Sequence, residues 1–223
     1  KVLKTHRTWD TLIHPRDIDE TNHVASITNI TRVMNEEQKF PEMDAEMITA
    51  LYKLKNEQEA VIADDVLTVT NVLTKFDALM DKMDEARVPA AGRLLYADTY
   101  TKTLIDTAKE AARNLSATDT AVARSLNRIG EVEVIGVPTS AMKSAYTFKE
   151  TDGFEVAAGA KDVKMLLVHP SAVIPVIAYD FAELGAPSSL SKGKWTYFEE
   201  SFEDVFIFNK KHAGIQFYIE KSA

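Results

Sequence analysis

Carboxylates and histidines hold most of this chain's chemical potential, and their spacing decides how much of it is usable. Three pairs of acids stand side by side: Glu36 with Glu37, Asp64 with Asp65, and Glu199 with Glu200. General acid–base work needs two carboxyls facing one another across a cleft, in different environments. Neighbours on a helix or strand point apart, so these pairs read more simply as solvated faces or caps. The five histidines, His6, His14, His23, His169 and His212, are scattered, and none has another three or four residues away. That spacing is what brings two ring nitrogens to one metal. Asp17, Asp19 and Glu20 make the densest oxygen cluster and could hold a hard cation. They lack the glycine and distal Glu of an EF-hand loop, so capping and interface ion pairing explain them better. The absence of cysteine removes thiol nucleophiles, thiolate metal sites and disulfides together.

Phosphate-binding signatures are missing as well: there is no G-x-G-x-x-G and no G-x-x-x-x-G-K-[ST]. Gly130 and Gly136 fall in a strand-like stretch, where they mark a strand start and a close packing point. A Ser–His–Asp set would have no G-x-S-x-G elbow, and Ser171, after His169 and Pro170, falls at a helix start. The aromatic end of the chain could offer a base-stacking platform through Trp195, Tyr197, Phe198, Phe202, Phe206, Phe208, Phe217 and Tyr218. The charged residues interleaved from Trp195 to Phe208 are Glu199, Glu200, Glu203 and Asp204, not the Lys and Arg such a platform needs. Sheet packing is the better reading. A formal net charge of -8 also argues against a dedicated nucleic-acid surface. These residues therefore point to no catalytic centre, no cofactor and no metal site.

The elements that would position any site mix helices and strands. With 223 residues, 45% hydrophobic and 27% charged, the chain can bury a sizeable core. No apolar run reaches the ~18 residues that span a bilayer. Residues 1–16 read as extended, with Pro15 barring a helix before it. Asp19 or Thr21 then caps a helix whose apolar stripe is Val24, Ile27, Ile30, Val33 and Met34. Pro41 should kink or interrupt it. The stripe resumes at Met43, Met47, Leu51 and Leu54, so two helices or one long bent one fill roughly 21–58. Asp64 and Asp65 offer a cap for a second amphipathic helix, striped by Val69, Val72, Leu73, Phe76, Leu79, Met80 and Met83.

Arg93 to Ala97 reads as a strand, Asp98 as a cap, and Tyr100 to Arg113 as a helix. Residues 114–128 read as loop plus a short helix. Glu131 to Val137 alternates like a half-buried strand, and Thr147 to Ala160 reads as a loop or exposed hairpin. Val163 to Val168 is a buried strand, and Pro170 opens a short helix. A closing hairpin runs from Trp195 to Asn209, turns at Lys210 to Gly214, and returns from Ile215 to Glu220. The class is α+β, not the regular alternation of a doubly wound sheet.

One passage is more specific. An extended segment from Trp9 to Arg16 runs into Asp17-Ile18-Asp19-Glu20-Thr21-Asn22. A long helix follows, crossing Phe40-Pro41-Glu42-Met43-Asp44. With Val88 to Tyr96, Leu166 to Val173 and the closing hairpin, this order resembles the Hong Kong ninety-seven fold. Major capsid proteins of tailed bacteriophages and bacterial encapsulins share that fold. The resemblance spans most of the chain and rests on the order of the stretches.

It implies a long spine helix, a peripheral domain, an axial domain and an extended loop. Residues 1–18 would be the trailing part of the loop, 19–62 and 193–223 the peripheral domain, and 63–192 the axial domain. The family's amino-terminal arm would precede Lys1, either cleaved away or outside the sequence. The implied function is a major head protein that assembles pentamers and hexamers around double-stranded DNA. Its location would be the virion capsid, assembled in the host cytoplasm. Scaffold, portal and decoration proteins would be partners, the DNA would be touched weakly and non-specifically, and no membrane is involved. For inter-subunit contact the expected residues are Trp9 as apolar anchor and Arg16, Asp17, Asp19 and Glu20 as ion-pair partners. Packing within its own subunit is the other reading of Trp9. An encapsulin-like compartment shell, and a soluble α+β ligand-binding protein or enzyme, are the alternatives. A cargo enzyme would mark the former, and a stable monomer with a ligand pocket the latter.

Overall fold

The computed structural model describes residues 3, 5–23, 25–116, 128–129, 132–149 and 153–221. Five α-helices are described: α1 (Pro15–Glu20), α2 (Ile27–Met34), α3 (Phe40–Gln58), α4 (Val72–Glu85) and α5 (Thr99–Ser116). The early strands are β1 (Thr5–Ile13), β2 (Leu94–Asp98), β3 (Arg128–Ile129), β4 (Val132–Val137), β5 (Tyr146–Lys149) and β6 (Gly153–Val156). The later ones are β7 (Val163–Val168), β8 (Val173–Gly185), β9 (Trp195–Ile207) and β10 (Ile215–Ile219). They form a three-stranded sheet ordered β1-β9-β8, a five-stranded sheet ordered β10-β7-β2-β4-β3, and a pair, β5-β6. The fold is α+β, as the mixed patterning implies. The chain divides into two units, Lys1–Asp44 with Pro175–Val205, and Ala45–Ile174 with Phe206–Ala223.

In the first unit, β1 runs antiparallel to β9, from Thr5 opposite Glu203 to Ile13 opposite Trp195. Burial alternates along β1: Arg7, Trp9 and Thr11 are half-buried and Ile13 is buried, while His6, Thr8, Asp10 and Leu12 are exposed. A period of two with one face covered is the mark of a sheet packed on one side.

The helix that follows does not begin at 21. Pro15 to Glu20 is a short helix of its own, with Pro15 in its first turn and the His14 Nδ1 accepting the Arg16 N–H at 3.1 Å. Asn22 and His23 adopt φ of 54° and 67°. Left-handed residues cannot continue a right-handed helix, so it stops there. Ser26, not Asp19 or Thr21, caps the next one by accepting the Asn29 N–H at 3.4 Å. A π-helical turn, Asn35–Lys39, then leads straight into Phe40 and Pro41. Proline lacks an N–H and crowds the carbonyl four residues back, and a widened turn relieves both. Of the two alternatives, one long helical run is therefore the outcome, from Ile27 to Gln58.

The second unit is built on β7, which lies between β2 and β10 and is antiparallel to both. Strand β2 runs parallel to β4, with α5 crossing between them in sequence. Val72, Phe76, Leu79 and Met83 of α4 pack with Leu104, Ile105 and Ala108 of α5 over Leu95, Val134, Met165 and Leu167. Asp98 is the expected cap: its Oδ1 accepts the Thr101 N–H at 2.7 Å, and its Oδ2 accepts from Lys164 Nζ at 3.1 Å. Gly136 is the expected close packing point, since a Cβ there would lie 2.8 Å from Lys102 Cδ. Gly130 lies outside the described residues.

Four further expectations are corrected. Asp64 and Asp65 do not cap α4; Lys75 Nζ binds them at 2.9 and 3.5 Å, and Asn71 takes the cap position. Helix α5 continues to Ser116, past the loop expected from 114, and residues 117–127 lie outside the described residues. The third concerns the closing hairpin, because β9 and β10 lie in different sheets. A 3-10 turn at Asn209–Gly214 carries the chain onto β7, with His169 N–H donating to the Gly214 oxygen at 2.8 Å. An added Cβ at Gly214 would stand 2.8 Å from Ala172 Cβ, so a side chain there would block this crossing. The fourth is the hairpin partner of β9, which is β8, a strand that the sequence patterning does not mark. The hairpin reading of 147–160 holds, with Tyr146 opposite Val156 and Lys149 opposite Gly153.

Candidate functional site

The residues singled out for contact with another subunit come from β1 and α1. Trp9 stands at the middle of β1, and its ring meets Tyr197 at 5.1 Å, tilted 57°. It is half-buried, with a partner in its own sheet. Arg16, Asp17, Asp19 and Glu20 are all exposed on α1, which buries no residue. None of the four is in an ion pair among the described residues. So the structure brings the four charges together on one short exposed helix and leaves Trp9 apart from them in the sheet.

The acid pairs follow their spacing only in part: Asp64 and Asp65 converge on Lys75 instead of pointing apart, and Glu199 is buried, not a solvated face or cap. On β9, Glu199 and Glu200 face opposite ways. Glu199 is buried, bound by Lys39 Nζ and by the Tyr197 hydroxyl at 2.8 Å. Burial alone would raise its carboxyl, but the bonds from Lys39 and Tyr197 outweigh it and hold it below the usual range. Burial first, and then the bond to Glu199, pushes the Tyr197 hydroxyl up to about 12. Glu200 instead meets His6 Nε2 at 2.8 Å on the other face. Glu199 is thus the centre of a structural network joining β9 to the helical run in the same unit, and the Arg7–Glu42 pair joins β1 to that run. Among the described residues there is no group of three or more His, Asp or Glu placed to hold a metal ion. Asp17, Asp19 and Glu20 are included in that statement.

Patterning missed a surface. Beyond Pro175, β8 is exposed on both sides from Ile177 to Leu184. Tyr179 and Phe181 stack at 6.2 Å, Phe181 meets Phe198 at 6.2 Å, and Tyr179 meets Phe202 at 6.2 Å. His6 stacks on Phe202 at 4.2 Å. Five rings therefore share one uncovered face of the three-stranded sheet. The aromatic end is only partly core: Phe217 and Tyr218 are buried in the second unit, whereas Phe198 and Phe208 are exposed. The signal was present in Ile177, Tyr179 and Phe181, which alternate with Ala178, Asp180 and Ala182.

No protein-family model matches the chain, and no curated protein matches it. Solved structures do. A chain of the mature capsid of bacteriophage PhiM1 aligns with 100% of this chain and 73% of its own length, at TM-score 0.69 and 11% identity. The capsid of cyanophage P-SCSP1u aligns over 99% and 73%, with TM-score 0.69 and 13% identity. A virus-like particle from Pyrococcus furiosus aligns over 98% and 77%, at TM-score 0.52 and 11% identity. This is the capsid fold of tailed bacteriophages. The match runs through both units and every sheet, so the fold implied by the order Trp9 to Asp44, Val88 to Tyr96 and Leu166 to Val173 is the fold that forms.

Proposed function

We propose that this chain is the structural subunit of an icosahedral phage head. It would assemble into pentamers and hexamers that enclose double-stranded DNA, and its place would be the virion capsid, built in the host cytoplasm. One observation carries the reading: end to end, the chain follows the course of chains from the PhiM1 and P-SCSP1u capsids. The role is mechanical and calls for no catalytic residue. Subunits bury edges against neighbours, and closed symmetry stops growth. Many weak contacts add up in a shell, which makes assembly cooperative.

In this reading residues 1–18 are the trailing part of the extended loop. Residues 19–62 with 193–223 are peripheral, and 63–192 axial. Arg16, Asp17, Asp19 and Glu20 meet charges of a neighbouring subunit, since they have no ion-pair partner among the described residues. Trp9 contributes the part of its ring that Tyr197 leaves open. Scaffold, portal and decoration proteins are the natural further partners, and a net charge of -8 keeps contact with DNA weak. The Pyrococcus furiosus particle keeps a compartment shell as the second reading, at a TM-score of 0.52 against 0.69.

Sedimentation velocity on the full expressed product, with negative-stain images of the fastest fraction, tests the proposal. Closed particles or uniform pentamers and hexamers are expected. A monomer that persists with scaffold supplied would refute it. Cargo protein inside small particles would favour the compartment.

A further inference from the structure

The first unit carries two exposed features that complement each other. One is the tip between β8 and β9. Leu190 there is 95% exposed, the most exposed large apolar side chain among the described residues. Lys192 and Lys194 follow it, and no acid lies between Leu184 and Phe198. Neither lysine makes an ion pair among the described residues. The tip is also held in one shape. Gly193 N–H donates to the Ser188 oxygen at 2.8 Å, Lys194 N–H to the Ser191 oxygen at 3.1 Å, and Ser191 Oγ to the Lys194 oxygen at 2.6 Å. Lys192 and Gly193 take φ of 54° and 77° to make the turn.

The second feature is the uncovered sheet face built from His6, Tyr179, Phe181, Phe198 and Phe202. Its charged neighbours are Asp10, opposite Phe198, with Glu200 and Glu183 two residues along β9 and β8. Strand alternation puts no Lys or Arg of β1, β8 or β9 on this face among the described residues. Apolar surface of this kind, on a long edge strand, is what a monomer normally hides.

We propose that the aromatic, carboxylate-lined face receives the β8–β9 tip of a second copy of this chain. Leu190 seats among Tyr179, Phe181 and Phe198, and Lys192 and Lys194 meet Asp10, Glu183 and Glu200. This deepens the shell reading and rests on it. Charge complementarity selects the occupant: an acidic face repels nucleic acid and attracts a basic tip. Because the tip is already ordered, docking costs little conformational entropy. Tip-on-face is a contact between two different patches, which propagates from copy to copy until it closes.

The test uses the full chain and three variants: Leu190→Ser, the pair Lys192→Glu with Lys194→Glu, and that pair combined with Asp10→Lys and Glu183→Lys. Leu190, Lys192, Asp10 and Glu183 are exposed and Lys194 is half-buried, and circular dichroism checks that each variant folds. The first two should raise the concentration needed for assembly on the order of tenfold. The four-fold charge swap should restore it. Wild-type particles with tip variants that assemble equally well would overturn the docking alone, as would a swap that fails to restore. Tip variants that form normal shells but retain less DNA would give the tip to nucleic acid and also overturn it. A wild-type chain that forms no particles would remove the shell reading and the docking with it.

Discussion

Strands β7 and β8 are both rich in apolar residues, and they are used in opposite ways. In β7, Val-Lys-Met-Leu-Leu-Val, every apolar side chain is buried, because β2 and β10 pair with both its edges and α4 and α5 pack over its sheet. In β8, Ile177, Tyr179, Phe181 and Leu184 stay exposed, and among the described residues only one edge is paired, to β9. Burial at β7 stabilises the subunit. Apolar area left open at β8 is available to a partner, as the proposed docking requires. The difference separates residues that make the fold from residues left exposed for the proposed contact.

Substitutions can break this contrast in graded steps. Leu167→Ala, in the middle of β7, should destabilise the subunit by about 2–5 kcal/mol, through lost burial and the cavity left behind. Chemical denaturation would show it, and a loss below 1 kcal/mol would mean the sheet is not the core described. Arg93→Ala should cost about 2–3 kcal/mol. Arg93 is buried and donates to the Pro89 oxygen at 2.9 Å, the Val88 oxygen at 2.6 Å and Asp84 at 2.5 Å. Asp84→Asn should cost far less, since that carboxylate is exposed.

In the first unit the effects on folding should be smaller. Glu199→Gln weakens the bonds from Lys39 and Tyr197, for a loss of about 1–2 kcal/mol at neutral pH. The folded state holds the Glu199 carboxyl below its unfolded value. Its contribution is therefore present above the unfolded pKa and fades as pH falls through the folded one. Wild type and variant should converge in acid; a constant gap across that range would contradict the network. At the small end, neutralising Asp17, Asp19 and Glu20 together should move stability by no more than about 0.5 kcal/mol, because α1 buries nothing. A large loss would show that α1 supports its own subunit.

What could be read from sequence divides along the same line. Elements buried by local alternation or helical stripe were legible: β7 at Val163–Val168, the α4 stripe, and the Asp98 cap. The elements missed depend on partners far away in sequence. Strand β8 has no buried stripe to announce it, and Pro175 near its start reads as a break. Pairing of β10 with β7 follows from the close approach at Gly214, which no periodicity reveals. Caps were misplaced where several acids and hydroxyls competed, and the left-handed turn at Asn22 and His23 decided for Ser26. For the candidate site, the charge cluster at Arg16 to Glu20 was visible as a cluster. The aromatic face was not, because it takes rings from three strands.

The most direct measurement compares hydrogen exchange in the free subunit and in assembled particles. Amides of β8, from Ile177 to Leu184, and of the tip at Ser188–Lys194 should become protected on assembly. Those of β7 and β2 should be protected in both states. Equal exchange of β8 and the tip in subunit and particle would contradict the proposed docking.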